Sequence, residues 1–308
     1  MSVKPTVATT PVLACPVCGA TTTNALFLGH DWLHGLPGGF PMVRCTVCDS
    51  RYLRERPTDL SAYYPPETYA AYQPTNQPRH VSQAIGRNRG LAARCRLMNH
   101  LKPTGGALLD IGCGAGDFLA ALQVFPHWQV TGLEPSPTAA DAARHRHGLR
   151  IITGELPQPD LASAQFDIIT LWHVFEHLED LSAALAEIRR LLKPDGVLVI
   201  AVPVADSLEA RWFGPHWAGY DVPRHLVTFT STSLTGLLQR HGFAVQRHTG
   251  IIAGFASLRL SLIFSLRARG VTSPRWQAWL ALLALPIAYP LIRLLSPRAD
   301  VAVFSARP

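Results

Sequence analysis

The chain has 308 residues, 48% of them apolar and only 16% charged, with 28 basic against 21 acidic side chains and a formal net charge of +7. That length holds one large domain plus a small one, and the apolar content is that of a globular protein. The low charge points to extensive buried surface or an apolar contact face. The basic excess favours anionic partners such as nucleic acid, phosphate-bearing substrates or an anionic lipid surface, beside the plain alternative of a solvated basic surface. The N-terminus, MSVKPTVATTPVLACPVCG, has no apolar signal core, which argues against export and predicts a cytoplasmic protein without a signal peptide.

Four of the six cysteines form two C-x-x-C pairs, Cys15/Cys18 in CPVCG and Cys45/Cys48 in CTVCD, with 26 residues between them. Two cysteines so spaced can point inward from a tight turn onto one tetrahedral ion, and two such turns close a four-cysteine zinc site. The spacing predicts a zinc ribbon with a β-hairpin between its knuckles. With all four positions filled by protein, the ion is structural. Chance thiol pairs and a redox C-x-x-C are the alternatives. Cys95 and Cys113 need no metal.

RYLRERPTDLSAYYPPETYAAYQP follows, with five tyrosines and four prolines. It reads as a linker that is neither helix nor regular strand, either gluing the ribbon to the next domain or lining a substrate entrance. HVSQAIGRNRGLAARCRLMNHL (80–101) reads as a helix whose arginines, Arg87, Arg89, Arg94 and Arg96, form a solvated face. The expected organisation is a zinc ribbon over 1–60, a linker and helix over 61–104, and a second domain over 105–308.

GGALLDIGCGAGDFLAALQ (105–123) reads as a buried strand, a glycine turn and a helix start. Glycines let the backbone approach a ligand, and the helix N-terminus offers free N–H groups. Asp110 lies just before the turn. VTGLEPS (130–136) supplies a second strand ending in Glu134, 24 residues after Asp110, where an acid can accept both hydroxyls of a ribose. A dinucleotide fingerprint would be G-x-G-x-x-G; here Gly112, Gly114 and Gly116 give G-x-G-x-G.

With LLDIGCGAGDFL, GLEPS, FDIITLWHVFEHLED and LLKPDGVLVIAVP in this order over about 108–203, the sequence resembles the class I S-adenosylmethionine-dependent methyltransferases. WHVFEHL followed by WAGYDVPRHLVTFT looks like the bacterial group, methyltransferase domain 23-like, that often carries an N-terminal zinc ribbon. The resemblance implies an α/β fold: a Rossmann-like seven-stranded sheet with a small N-terminal ribbon. It implies S-adenosylmethionine as cofactor, with Gly112, Cys113, Gly114, Gly116 and Phe118 around the methionine part and Asp110 contacting it. Glu134, with Pro135 and Ser136, would hold the ribose; Gly154, Glu155 and Leu156 would flank the adenine. Trp172 and His173, at the end of the fourth strand, would lie beside the reactive methyl. Many relatives have an Asn after the proline that follows strand five, whereas this chain has Val204.

Methyl transfer to a hydroxyl needs a base, and the candidates are His173, His177 and His225. A metal reading of His173, Glu176 and His177 is the alternative for WHVFEHL, and a turn cap is another for His177. Arg224 beside His225 would suit an anionic substrate, or the PRH turn only packs a lid. His216, Trp217 and Tyr220 cluster as a substrate loop would.

GFAVQRHTG (242–250) and ADVAVFSARP (299–308) fit the sixth and seventh strands, leaving a helical insertion over 251–298. Its run of 17 uncharged residues, 276–292, is short for a membrane span, and Pro286 and Pro290 break it. A single crossing would also strand the last β-strand on the wrong side, so no transmembrane segment is expected. The insertion is then a helical cover, a dimer contact, or a monotopic hairpin on the inner membrane face, flanked by arginines and carrying Trp276, Trp279 and Tyr289. The expected activity is methyl transfer to a hydroxyl or carbon of a glycan, lipid-linked or small-metabolite acceptor. The rivals are an RNA-modifying enzyme reading through the ribbon, against which the ribbon's charges balance, and a non-catalytic cofactor-binding scaffold. Oligomeric state is not legible in the sequence.

Overall fold

The computed structural model describes residues 7–64, 81–251, 254–295 and 301–308. The N-terminal unit has five strands, β1 (Thr9–Pro11), β2 (Thr23–Gly29), β3 (Phe40–Cys45), β4 (Arg51–Leu53) and β5 (Glu55–Pro57). β2, β3 and β4 pair antiparallel, and β5 pairs with β1. Each cysteine pair sits on the same kind of turn. Gly19 N donates to Cys15 O (2.8 Å) and Asp49 N to Cys45 O (3.2 Å), with Gly19 at φ 77° and Asp49 at φ 62°. Glycine and aspartate are among the residues that tolerate this left-handed conformation.

The first part of the tyrosine-rich stretch is not a linker. Residues 51–57 are β4 and β5, because Tyr52 and Leu53 bury fully beneath the ribbon sheet while Pro57, needing no ladder donor, ends an edge strand. Tyr63 is buried as well, and its hydroxyl donates to Pro37 O (2.7 Å). Residues 65–80 lie outside the described residues.

The larger unit begins with α1 (Val81–Leu101). It continues through β6 (Gly106–Ile111), α2 (Asp117–Gln123), β7 (Trp128–Glu134), α3 (Pro137–His147), β8 (Arg150–Thr153) and β9 (Phe166–Trp172). Next come α4 (Leu181–Leu191), β10 (Leu192–Pro203), α5 (Leu208–Phe213), β11 (Val227–Thr228), α6 (Ser231–Arg240) and β12 (Ala244–Ile251). The chain closes with α7 (Gly254–Ala268), α8 (Pro274–Leu295) and β13 (Val301–Arg307). The sheet order is β12-β13-β10-β9-β6-β7-β8. β13 is antiparallel to both neighbours, and the other pairs are parallel. β9, FDIITLW, is buried at every position, as a strand covered on both faces must be. The chain winds away in opposite directions from β6 and β9, so the crevice beyond their carboxyl ends is the ligand position of a doubly wound sheet.

The two units share a sheet and a core. β11, from the far part of the chain, pairs with β4 (Val227 opposite Tyr52, Thr228 opposite Arg51) and completes the ribbon sheet as β11-β4-β3-β2. Phe40, Met42, Tyr52 and Leu53 of the ribbon lie in one apolar cluster with Phe175, Leu226, Phe229 and Leu234. The other sheet face is covered by α1, α2 and α3 through Met98, Leu119, Leu122 and Ala140.

Between β12 and β13 the insertion is a helical pair. Leu258 of α7 packs against Ala281 and Leu285 of α8. Pro286 and Pro290 do not end α8, which runs through both to Leu295; the lost backbone bonds are absorbed within a helix anchored by Gln277, Ala281 and Leu285 on its buried face. No helix among the described residues is long and apolar enough to cross a membrane.

Candidate functional site

The crevice beyond β6 and β9 is floored by the glycine turn. Gly112, Gly114 and Gly116 all have positive φ (69°, 54° and 81°). A Cβ on Gly112 would meet Val174 Cγ2 at 2.4 Å, and one on Gly116 would meet Leu149 Cδ1 at 2.5 Å. Only glycine keeps this turn low enough to leave room above it. Glu134, at the end of β7, is buried and grips the same turn: Gly114 N donates to its Oε2 (2.8 Å) and Ser136 N to its Oε1 (3.0 Å). Burial raises its pKa, against those two bonds.

Asp110 is buried one residue before the end of β6, and Thr170 Oγ1 donates to its Oδ1 (2.6 Å). Burial pushes Asp110 up to about 7, with Glu134 adding to it and Arg94 opposing. Burial likewise raises the Cys113 thiol, so it is a neutral neighbour. Phe118 meets Trp172 edge-on (centroids 5.6 Å apart), and the Arg94 guanidinium lies 4.6 Å over the Trp172 ring. Arg94 therefore departs from the solvated face expected of the α1 arginines, whereas Arg89 and Arg96 are exposed. The signal was its spacing: Leu91, Arg94 and Met98 share the inward face of α1, an arginine on an apolar stripe. Gly154, Glu155 and Leu156 follow β8, and Gly154 N donates to Glu134 O (3.0 Å), which brings that loop beside Glu134.

At the other end of the crevice, β9 leads into a sharp turn. His173 has φ 58°, uncommon for a non-glycine residue and held here by His173 N donating to Ala201 O (2.9 Å). Its side chain is 41% exposed, and its Nδ1 lies 3.5 Å from Glu176 Oε1. Glu176 itself is 1% exposed. Burial works to raise its carboxyl, but His173 and the His225 and His177 imidazoles outweigh it and hold it below the usual range. His177 and His225 meet edge-on with centroids 4.6 Å apart. Burial lowers His177 to about 4, with His225 adding to it, so His177 is neutral.

The three histidines thus come together, but only His173 opens broadly to the crevice. Arg224 does not face a substrate. It is completely buried: Nε and Nη2 donate to Asp221 (2.9 and 2.7 Å), Nη2 to Asp31 (2.7 Å) and Nη1 to Tyr63 O (3.1 Å). His216, Trp217 and Tyr220 pack against the ribbon and α7, with Trp32 beside His216 and Phe27 against Tyr220. Val204 is buried and bridges to Phe229. Sequence reasoning missed Asp31, Asp221 and Arg94, each of which gains its meaning only from a contact across the chain.

The four ribbon thiols form a separate cluster. The Sγ atoms of Cys15, Cys18, Cys45 and Cys48 lie within 4.8 Å of one another, with Cys15–Cys48 and Cys18–Cys45 at 3.6 Å. A tetrahedral ion roughly 2.3 Å from each sulfur holds the sulfurs about 3.8 Å apart, so the cluster fits zinc. The hydrogen bond between Cys15 and Cys48 lowers the Cys15 thiol and raises that of Cys48.

Residues 82–248, more than half of the chain, match the family described as methyltransferase domain. The chain belongs to the class I S-adenosylmethionine-dependent methyltransferases. It is 35% identical over 126 residues to the malonyl-[acyl-carrier protein] O-methyltransferase of Serratia marcescens, covering 41% of this chain and 48% of that one. It is 32% identical over 161 residues to the nocamycin O-methyltransferase of Saccharothrix syringae, covering 48% and 58%. The chain thus spans less than two thirds of the length of these relatives. A crystal structure of a S-adenosylmethionine-dependent methyltransferase from Archaeoglobus fulgidus superposes with a TM-score of 0.50 at 18% identity, covering 72% of this chain and 94% of that one, which shows the shared fold.

Proposed function

We propose that the chain transfers the methyl group of S-adenosylmethionine to an oxygen or carbon of a small-metabolite-type acceptor. The cofactor supplies an electrophilic methyl; the protein supplies position and a base. The observation that carries this is the crevice at the β6/β9 switch point, where a glycine turn without side chains, the buried Glu134 and the His173 turn converge. Glu134 would accept the ribose hydroxyls, with Pro135 and Ser136 shaping the strand end. Gly112, Cys113, Gly114 and Gly116 would pass beneath the methionine part. Asp110 would face its ammonium and Arg94 its carboxylate, over the Phe118–Trp172 pair. Gly154, Glu155 and Leu156 would flank the adenine.

His173 is the base this arrangement favours, because it is the one of the three imidazoles that opens broadly to the crevice, with Nδ1 3.5 Å from Glu176 Oε1. His177 is half-buried and His225 buried behind it. The ribbon would hold one structural zinc. The relatives named for malonyl-carrier and nocamycin O-methylation favour an oxygen acceptor. Calorimetry with S-adenosylhomocysteine, followed by transfer of radiolabelled methyl to a panel of hydroxylated and carboxylated metabolites, tests the reading. Binding that Glu134→Ala abolishes, and transfer that His173→Ala slows by about 10²–10⁴-fold, support it; no heat with S-adenosylhomocysteine sinks it.

A lipid-linked or amphipathic acceptor reached from a membrane surface is the finer reading that α8 favours. Trp276, Trp279, Leu282 and Leu283 are all exposed on that helix, with the exposed Arg275 at its start. Flotation with anionic vesicles, lost on Trp276→Ser/Trp279→Ser, supports it; no flotation of the unaltered chain removes it.

A further inference from the structure

We infer that Glu176, His177 and His225 form a site for one divalent transition-metal cation, placed at the acceptor end of the crevice and distinct from the ribbon thiols. The existence of the site stands on its own geometry; its role rests on the methyl-transfer reading.

One ligand atom from each of the three residues lies within 4.8 Å of the others. An ion about 2.0–2.2 Å from nitrogen and oxygen ligands holds them about 3.4 Å apart, so binding closes that triangle by up to about 1.4 Å on a side. The imidazoles are oriented as ligands. His225 Nδ1 lies 2.9 Å from Gly219 O, and a carbonyl can only accept, so Nδ1 carries the hydrogen and Nε2 presents its lone pair. His177 Nδ1 lies 3.0 Å from Arg224 O and shares that hydrogen with the Tyr64 hydroxyl at 2.9 Å, which leaves its Nε2 in the same state. Backbone carbonyls that fix the tautomer of ligating histidines are the usual outer shell of a metal site.

Glu176 supplies the second, independent observation. It is 1% exposed, yet neither carboxylate oxygen has a hydrogen-bond partner among the described residues. His173 Nδ1 lies 3.5 Å and His225 Nε2 3.9 Å from its Oε1, both too long for a good bond. A buried carboxylate without partners is costly unless a cation compensates it. The surroundings point the same way. Asp31 and Asp221 share a single buried guanidinium, Arg224, while Glu176 faces only imidazoles, so three carboxylates stand beside one fixed positive charge, an excess of two negative charges. A divalent ion matches that excess.

The position gives the site a purpose. Val174, between His173 and Glu176, closes on Gly112, so this turn borders the cofactor crevice directly. Two imidazoles and one carboxylate leave coordination positions open, as catalytic sites do and the four-thiol ribbon site does not. The acceptor class such an ion would recruit presents an oxygen to it: a hydroxyl, an enol or a carboxylate. The ligand set of borderline nitrogens with one hard oxygen suits Mn²⁺, Fe²⁺, Co²⁺ or Zn²⁺ better than Ca²⁺.

The test uses the full chain with its ribbon zinc-loaded and Mn²⁺ as the probe, since thiolates already holding zinc do not take it. Free Mn²⁺ is followed by electron paramagnetic resonance during a titration, and the bound ion is examined by electron spin-echo modulation. The expected result is one Mn²⁺ per chain with ¹⁴N modulation from imidazole. Glu176→Gln and His225→Gln should each weaken it at least about tenfold, with affinity for S-adenosylhomocysteine unchanged. No bound Mn²⁺, a bound ion without ¹⁴N modulation, or variants as tight as the unaltered chain overturns the inference. If the variants do not fold, the ¹⁴N signal of the unaltered chain decides alone. Failure of the unaltered chain to bind S-adenosylhomocysteine would remove the methyl-transfer reading, while the Mn²⁺ result would still decide the metal site.

Discussion

Arg224 and Asp31 form an ion pair 2.7 Å long in which neither side chain reaches solvent, and it joins the larger unit to the loop between β2 and β3 of the ribbon. Asp31 also accepts from the backbone N–H groups of Leu33, His34 and Leu36, so its position is fixed before the arginine arrives. Arg224→Met should lower stability by about 3–5 kcal/mol, because Asp31 and Asp221 are then buried without a counter-charge. Arg224→Lys restores the charge but not the two-pronged contact with Asp221, so it should recover only part of the loss. Denaturant midpoints at a constant slope measure both; an unchanged midpoint for the Met variant would show that the pair contributes nothing.

Gly112→Ala should weaken S-adenosylhomocysteine binding by at least about tenfold, or 1.4 kcal/mol. The new methyl meets Val174 Cγ2 at 2.4 Å and sits on a residue with φ 69°, so the turn must rise into the crevice. Calorimetry gives the affinity, and an intact melting transition confirms that the loss is local.

Glu134→Gln should cost roughly 1.5–3 kcal/mol of cofactor affinity, the scale of hydrogen bonds to a charged group. Two effects combine: the ribose hydroxyls lose a charged acceptor, and one of the Gly114 and Ser136 N–H groups meets an amide NH2 in place of the oxygen that fixed the glycine turn. Adenosine, which keeps the ribose, should lose affinity to a similar degree. A variant that binds adenosine normally would place the ribose elsewhere.

Asp110 sets a pH dependence. The groups facing it are Thr170, Arg94 and Glu134, and burial places it at about 7 in the cofactor-free protein. An ammonium group binds the ionised carboxylate, so below about 7 binding must first expel a proton. Affinity for S-adenosylhomocysteine should therefore rise by up to about tenfold per unit between pH 5.5 and 7 and then level off. Asp110→Asn should flatten the profile, as isothermal titrations across that range would reveal.

Zinc removal should reach beyond the ribbon. Leu53 N donates to Leu226 O (3.2 Å), and Leu226 N donates to Glu176 O (2.9 Å), so a backbone path runs from the ribbon sheet to the histidine cluster. Cys45→Ser should remove one zinc per chain relative to the unaltered protein, as elemental analysis would show, and lower the melting temperature. It should also disturb the proton resonances of His177 and His225. Unperturbed histidine signals in a zinc-free chain would uncouple the two.

The seven-stranded sheet, its glycine turn and the thiol cluster were legible because each is a local pattern: a strand into G-x-G-x-G, an acid closing the next strand, cysteines two apart. What escaped was set by contacts between distant segments. Arg224 reads as an exposed ligand for an anion until Asp31 and Asp221 close around it. Residues 51–57 read as a linker because their strand character depends on pairing with β3 and β11. Pro286 and Pro290 read as breaks, yet α8 is held by what it packs on. Glu176 was visible in WHVFEHL, but its grouping with His225 belongs to the fold and not to the motif.

The pairing of β11 with β4 bears on how the chain can be made. The ribbon comes off the ribosome early, but the strand that completes its sheet is encoded beyond the middle of the chain. Until then β4 has a bare edge, and Tyr52 and Leu53 lack their cover. The ribbon cannot mature as an independent module during synthesis; it must wait, zinc-bound or chaperoned, for the sheet behind it. A fragment ending before Val227 should accumulate in aggregates, and a methyltransferase unit expressed without its first sixty residues should expose the apolar face that Phe40, Met42 and Tyr52 cover.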